Sequence, residues 1–337
     1  LLEAILLHTE HQYIVFVRHD SFVPDHWLSL PHVSVVRAWS KTRSWHWFGR
    51  DLQPIKHKLD AWFSVSGFVP RTPGLVKGSL IHDTFWRKYP ETYTESDIQI
   101  HESMAKNIAK YSNFIACNSL STAKDFKETY HVSPEKFLPL KFGQASLGSL
   151  NRSPSLPIDG EYLFTISTLE PRKNLPMLFE AFAKVSKNHP YLDLVVAGAK
   201  GWKTDGIVER VSSLGIQERV HFLGFVPDEE VAALFRHAKV AVTASLEEGF
   251  GVPVLEAMTY GTVIAASQSP ALKEVGGEIP FYFDPTNQDS IAEGLESAIN
   301  AKDRENRIQA GIERSKEFSW DSSALAVLQR IQSLCRQ

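Results

Sequence analysis

Two carboxylates frame a glycine turn in the stretch Glu248-Gly-Phe-Gly-Val-Pro-Val-Leu-Glu256 of this 337-residue chain. An ionised carboxylate only accepts hydrogen bonds, and it accepts strongly from hydroxyls, so a pair of them suits a neutral, hydroxyl-rich ligand such as a sugar or a ribose. Gly249 and Gly251 let backbone amides come close to such a ligand. The plainer use of Glu248 and Glu256 is as acids near a helix start, where the helix dipole favours them. A second group bears on that choice: Arg172 and Lys173 in Ser167-Thr-Leu-Glu-Pro-Arg-Lys-Asn174. Asn174 reads as the N-cap of a helix carrying Leu175, Leu178, Phe179, Phe182 and Val185. Two cations beside the free amides of a helix start suit a diphosphate, although an Arg-Lys pair taken alone is usually a solvated loop pair. An anion site and a hydroxyl site side by side describe a pocket for a nucleotide diphosphate sugar.

Strands must deliver these groups. Val240 to Ala244 is an apolar run that reads as a buried parallel strand ahead of Glu248, and Pro253 suits the first turn of the helix that follows. Tyr162 to Ile166 does the same for the cation pair, and in such sheets ligands collect beyond the carboxyl ends of the strands. Leu192 to Ala197, Val220 to Leu223 and Thr262 to Ala266 complete a regular second half. The first half carries runs at Tyr13 to Val17, Val33 to Val36, Ala61 to Val65, Leu75 to Ile81 and Phe114 to Cys117, with helical segments between them. The class is α/β with mostly parallel sheets. Thr94 and Asp97 form a capping box before a helix, and a Ser/Pro-rich stretch from Ser146 to Pro157 reads as a linker. His82-Asp83 falls at the carboxyl end of Leu75 to Ile81, which makes His82 a candidate site residue and Asp83 a loop-orienting one.

These residues resemble the retaining glycosyltransferases of family GT4, also called group 1. The family's Glu-x7-Glu motif matches Glu248 and Glu256, and its Glu-Pro-Arg-Lys-Asn segment matches Glu170 to Asn174. Further matches are Gly198-Ala-Lys-Gly-Trp202, His221-Phe-Leu-Gly-Phe-Val-Pro-Asp228, Ser267 and Phe318-Ser-Trp320. The likeness is close over the second half and looser over the first. It implies the GT-B fold: two facing Rossmann-like, doubly wound domains with the active site in the cleft between them. Residues 1–150 would form the acceptor-side domain, 151–318 the nucleotide-sugar domain, and 319–337 a helix crossing back. The family would place a strand and a glycine-rich loop ahead of the helix at Leu1, so further residues are expected before it.

The resemblance also implies roles. Glu248 would bind hydroxyls of the transferred sugar and Glu256 the ribose, while Gly249, Phe250 and Gly251 shape the loop between them. His82 would lie beside the transferred sugar. Arg172 and Lys173 would stabilise the departing diphosphate, which itself takes the acceptor proton, so retention of configuration needs no enzyme nucleophile. Thr168 stands where many members carry an additional arginine, which leaves more of the phosphate to Arg172 and Lys173. The expected activity is hexosyl transfer to a saccharide or lipid-linked acceptor in polysaccharide or glycoconjugate synthesis, with UDP-glucose or a related UDP-sugar ranked ahead of GDP-mannose. A sugar-nucleotide epimerase of the same fold and a non-catalytic sugar-nucleotide-binding protein are the competing readings.

Composition narrows the field. A net charge of -3 argues against a nucleic-acid partner, and two cysteines give no disulfide framework. No apolar run is long enough to span a membrane and no basic leader opens the chain, so a cytoplasmic location is expected. With no Asp-x-Asp pair and no His-Glu-x-x-His pattern, metal independence is expected, with no cofactor beyond the donor. Val254 stands where a nicotinamide fingerprint would have its third glycine. The segment Trp39 to Arg50 mixes Trp45, Trp47 and Phe48 with Lys41 and Arg43. It reads first as core aromatics with snorkelling cations, and otherwise as an acceptor surface or a peripheral contact with the inner face of an anionic membrane.

Overall fold

The computed structural model describes residues 1–38, 50–65, 67–144, 160–199 and 206–336. The linker from Ser146 to Pro157, the cluster of Trp45, Trp47 and Phe48, and Trp202 all lie outside the described residues. Twelve strands are present among those described, and every pairing between them is parallel. In the first half β1 (Tyr13–Val17) pairs with β2 (Val33–Arg37), and β3 (Ala61–Ser64), β4 (Val76–Ile81), β5 (Phe114–Cys117) and β6 (Phe137–Pro139) form a sheet in chain order. The second half holds β7 (Glu161–Ile166), β8 (Leu192–Ala197), β9 (Val220–Gly224), β10 (Val240–Thr243), β11 (Ile264–Ser267) and β12 (Phe281–Phe283). Their order across the sheet is β12-β11-β10-β7-β8-β9.

That order decides where a ligand can sit. The chain winds outward from β7 to β9 on one side, then returns and winds outward from β10 to β12 on the other. The loops after β7 and β10 therefore leave in opposite directions and open a crevice between them, the switch point of a doubly wound sheet. The strands around it are apolar on both faces because helices cover both. Leu163, Leu194, Val240 and Val242 pack with Leu178, Phe179 and Phe182 of the helix Leu175–Val185. The alternate residues Phe164, Val195 and Ala241 pack on the opposite side with Phe235, Leu255 and Met258. Each fully buried side chain of that size stabilises the sheet by about 1.5 to 3 kcal/mol, which fixes the strand ends against strain from the loops.

Most strand expectations hold within a residue or two. Thr262 to Ala266 is the largest shift: the strand starts at Ile264, because Gly261 ends the preceding helix in left-handed geometry and Thr262 is spent on that turn, its amide bonding Ala257 O and its hydroxyl Phe235 O. The last helix, expected within 319–337, runs Trp320–Cys335, with the Ser319 hydroxyl accepting from Ser322 N as its cap. The Thr94 cap is present, accepting from Asp97 N. β6 and β12 escaped the sequence reading because each is only three residues long and carries no alternation. The last helix packs on the helix Leu2–Leu6 and on β4, with Trp320 Nε1 donating to Gln144 O at 2.9 Å and Ser323 Oγ to Lys141 O at 2.8 Å. It thus returns to the first half of the chain. Among the described residues no helix is long and apolar enough to cross a membrane.

Candidate active site

The loop after β7 makes a single 3₁₀ turn, Pro171–Lys173, and then Asn174 in the left-handed region (φ 59°, ψ 30°). Asn174 does stand at the start of the helix Leu175–Val185, but its side chain caps nothing there. Its Nδ2 instead donates to Ala244 O at 3.2 Å and to Pro285 O at 2.8 Å, beyond β10 and β12. The N-cap expectation is corrected on this point: Asn tolerates the left-handed region, and its amide staples three loops at the carboxyl edge of the sheet. Leu246 N adds a bond to Arg172 O at 2.9 Å. The cation turn and the acidic loop are therefore one rigid unit.

Within that unit the Glu248 side chain, 9% exposed, is held by three donors. Lys173 Nζ lies 2.7 Å from Oε1, Arg172 Nη1 lies 3.1 Å from Oε2, and Ser245 Oγ donates to Oε1 at 2.6 Å. A carboxylate has about four acceptor positions, so roughly one is left for a ligand hydroxyl. Burial pushes the Glu248 carboxyl up, but Lys173 and Arg172 outweigh it and hold the group below the usual carboxylate range. Arg172 is partly buried, which works against its charge, yet Glu248 and Glu170 keep it more firmly protonated than usual. Its other contacts are Glu170 Oε1 at 2.5 Å, Glu247 O at 2.7 Å and the face of the Phe85 ring at 4.4 Å. The Lys173 ammonium has three donors and gives one to Glu248.

Glu256 is in the opposite condition. It sits on the helix Val252–Tyr260, partly buried, and no hydrogen bond or ion pair holds its carboxyl among the described residues. Burial and the nearby Asp228 charge push it up from 4.5 to about 7. Gly251 opens this helix at φ 119°, where a side chain would be strained and would also press on Leu272. Phe250 turns its ring into the core against Phe142 at 5.6 Å and Phe318 at 5.9 Å, so only its backbone can face a ligand.

The remaining expected residues divide. His82 is exposed, with its ring 6.3 Å from that of Phe142, and its carbonyl lies against the acidic loop: a Cβ on Gly249 would stand 2.4 Å from His82 O. The Thr122 hydroxyl lies within reach of both His82 O (3.2 Å) and Gly249 O (3.3 Å). Asp83 accepts from Phe85 N at 3.0 Å and so orients its loop. Thr168 is exposed just past β7, and among the described residues no hydrogen bond joins it to Arg172, Lys173 or Glu248. The sequence reading missed Ser245, Glu247, Lys88 and Phe85. Lys88 Nζ reaches Glu247 Oε1 at 2.5 Å across 159 residues of chain, a separation that no local spacing signals. Among the described residues no group of three or more His, Cys, Asp or Glu could hold a metal ion.

The profile of the family "Glycosyl transferases group 1" matches residues 150–314. The chain is similar to the O-antigen chain mannosyltransferase B of Escherichia coli, 34% identical over 48% of this chain and 43% of that protein. It is also similar to the MMP alpha-(1->4)-mannosyltransferase of Mycolicibacterium hassiacum, 30% identical over 66% of this chain and 54% of that protein. The chain thus spans about half the length of these curated relatives. Among solved structures, Anabaena HepE in complex with UDP and glucose superposes with a TM-score of 0.70 at 16% identity, over 98% of this chain and 95% of that one. That likeness is one of fold. Residues 150–314 thus match the group 1 glycosyltransferases, and the fold is the GT-B fold that the motifs resemble.

Proposed function

We propose that this chain transfers a hexose, with retention and without a metal, from a nucleotide diphosphate sugar to a saccharide or lipid-linked acceptor. The observation that carries the reading is the Glu248 carboxylate held between Lys173 and Arg172 at the β7/β10 switch point. Fixed cations there would stabilise negative charge on a departing diphosphate without reorganising, and removing one such contact typically costs about 2.7 to 4 kcal/mol of transition-state stabilisation. Glu248 keeps room for a sugar hydroxyl, and Glu256, unpartnered among the described residues, suits the paired hydroxyls of a ribose. The backbone of residues 249–251 and the exposed His82 would line the space between, with Thr168 at its rim. Residues 1–150 would serve the acceptor, 151–318 the donor, and 319–337 would tie the two. Mannosyltransferases among the relatives support mannose as the hexose, and so GDP-mannose ahead of the UDP-glucose ranked first on sequence.

The test is to incubate the protein with labelled GDP-mannose and UDP-glucose, with and without an oligosaccharide acceptor, and to resolve the products by NMR. The reading expects free nucleoside diphosphate, slow release of free hexose without acceptor, and an α-linked product from an α-linked donor. Inverted product or interconversion of the sugar nucleotides would contradict it, as would the absence of turnover. Transfer should survive EDTA; activity abolished by chelation and restored by Mg2+ or Mn2+ would overturn the metal-free part.

A further inference from the structure

The short helix Phe85–Lys88 belongs to the first half of the chain, yet it touches the site of the second half at two points. The Arg172 guanidinium carbon lies over the Phe85 ring, 4.4 Å from its centroid. One turn on, Lys88 Nζ pairs with Glu247 Oε1 at 2.5 Å, and Tyr89 OH lies 3.4 Å from Glu247 Oε2. Lys88 is itself anchored at 2.6 Å to Asp125 on the helix Leu120–Tyr130, so it reaches across from a fixed base. Glu247 is the residue before Glu248, and its carbonyl takes a hydrogen bond from the same Arg172 nitrogen that holds the Glu248 carboxylate. Anything that moves Glu247 therefore moves Arg172 and Glu248 with it.

Resting on the function proposed above, we propose that Lys88 is a positioning residue: through Glu247 it sets Arg172 and Glu248 in register for sugar transfer when the two halves of the chain meet. Lys88 acts here through its pairs with Glu247 and Asp125. A half-exposed ion pair contributes little to folding, so its effect belongs in turnover and not in melting. A misplacement of reacting groups by about 1 Å can cost up to about a hundredfold in rate.

The test compares wild type with Lys88→Met, Lys88→Arg, Glu247→Gln and the double variant Lys88→Met/Glu247→Gln. Transfer kcat in Lys88→Met should fall about tenfold or more, a larger loss than the one in nucleoside diphosphate affinity that a shifted Arg172 brings. Lys88→Arg should recover most of the rate. The double variant should be no slower than the worse single one, since both remove the same contact. A second readout is independent of turnover: spin labels at Glu128→Cys and Glu209→Cys, in a Cys335→Ser background, report the distance between the halves. Lys88→Met should broaden or lengthen that distance and Lys88→Arg should restore it. Unchanged kcat, additive losses in the double variant, or identical distance distributions would each overturn the assignment. If wild type turns over no sugar nucleotide, the function reading fails and the distances alone decide the role of Lys88.

Discussion

Glu248 and Glu256 are eight residues apart and electrostatically opposite. The first is pinned by two cations and stays ionised, and the second has only burial and a like charge for company. A carboxyl raised from 4.5 to about 7 in the fold binds more protons folded than unfolded across that window, so it lowers stability progressively as pH rises through it. Glu256→Gln should therefore make the ligand-free protein more stable at pH 8, on the order of 2 kcal/mol, with the gain shrinking toward zero below pH 4.5. Urea titrations at the two pH values check this; an equal effect at both would contradict it. The same substitution should weaken nucleoside diphosphate and sugar nucleotide alike. Glu248→Gln should instead weaken the sugar nucleotide by about 1.5 to 3 kcal/mol and the bare diphosphate far less, and titrations giving the reverse pattern would refute the roles. Both acids were legible as a pair from spacing alone. That Glu248 is already occupied by Lys173 and Arg172 was not, because those partners lie 75 and 76 residues away in sequence.

The site depends on where loops leave the sheet more than on any one strand. β7 and β10 were readable because buried parallel strands are continuous apolar runs, and Leu192–Ala197 and Phe114–Cys117 were bounded correctly for the same reason. Loop conformation was not readable in this way. Asn174 has the composition of a cap and acts as a staple, since its left-handed backbone is set by the close approach of β10, a tertiary fact. Gly249 is another case: on sequence it lets a backbone amide approach the ligand, whereas in the structure it is needed for space against His82 O. Gly249→Ala brings a Cβ onto a backbone carbonyl of the first half, so that segment must move away. Transfer should fall about tenfold or more, while nucleoside diphosphate affinity and far-UV circular dichroism stay near wild type. Full activity in this variant would show that the contact between residues 82 and 249 is not part of the working enzyme.

At the scale of the whole molecule, two parallel sheets turn toward one another across His82, Thr122 and Gly249, and the last helix ties back to the first half through Lys141 and Gln144. Alternation of strands and helices disclosed the class, and the spaced motifs disclosed the family, but the contacts between halves involve side chains such as Lys88 and Glu274 that carry no motif. Glu274 accepts from Leu120 N at 2.8 Å, a second-half carboxylate at the start of a first-half helix. The central claim is that the β7/β10 crevice holds the donor through Lys173 and Arg172. Isothermal titration of GDP and UDP into wild type and Lys173→Ala tests it most directly. The account predicts that the nucleotide bound by wild type loses about tenfold or more in affinity in the variant, as expected for one charged hydrogen bond, with thermal stability retained. Equal affinities in a folded variant would contradict it.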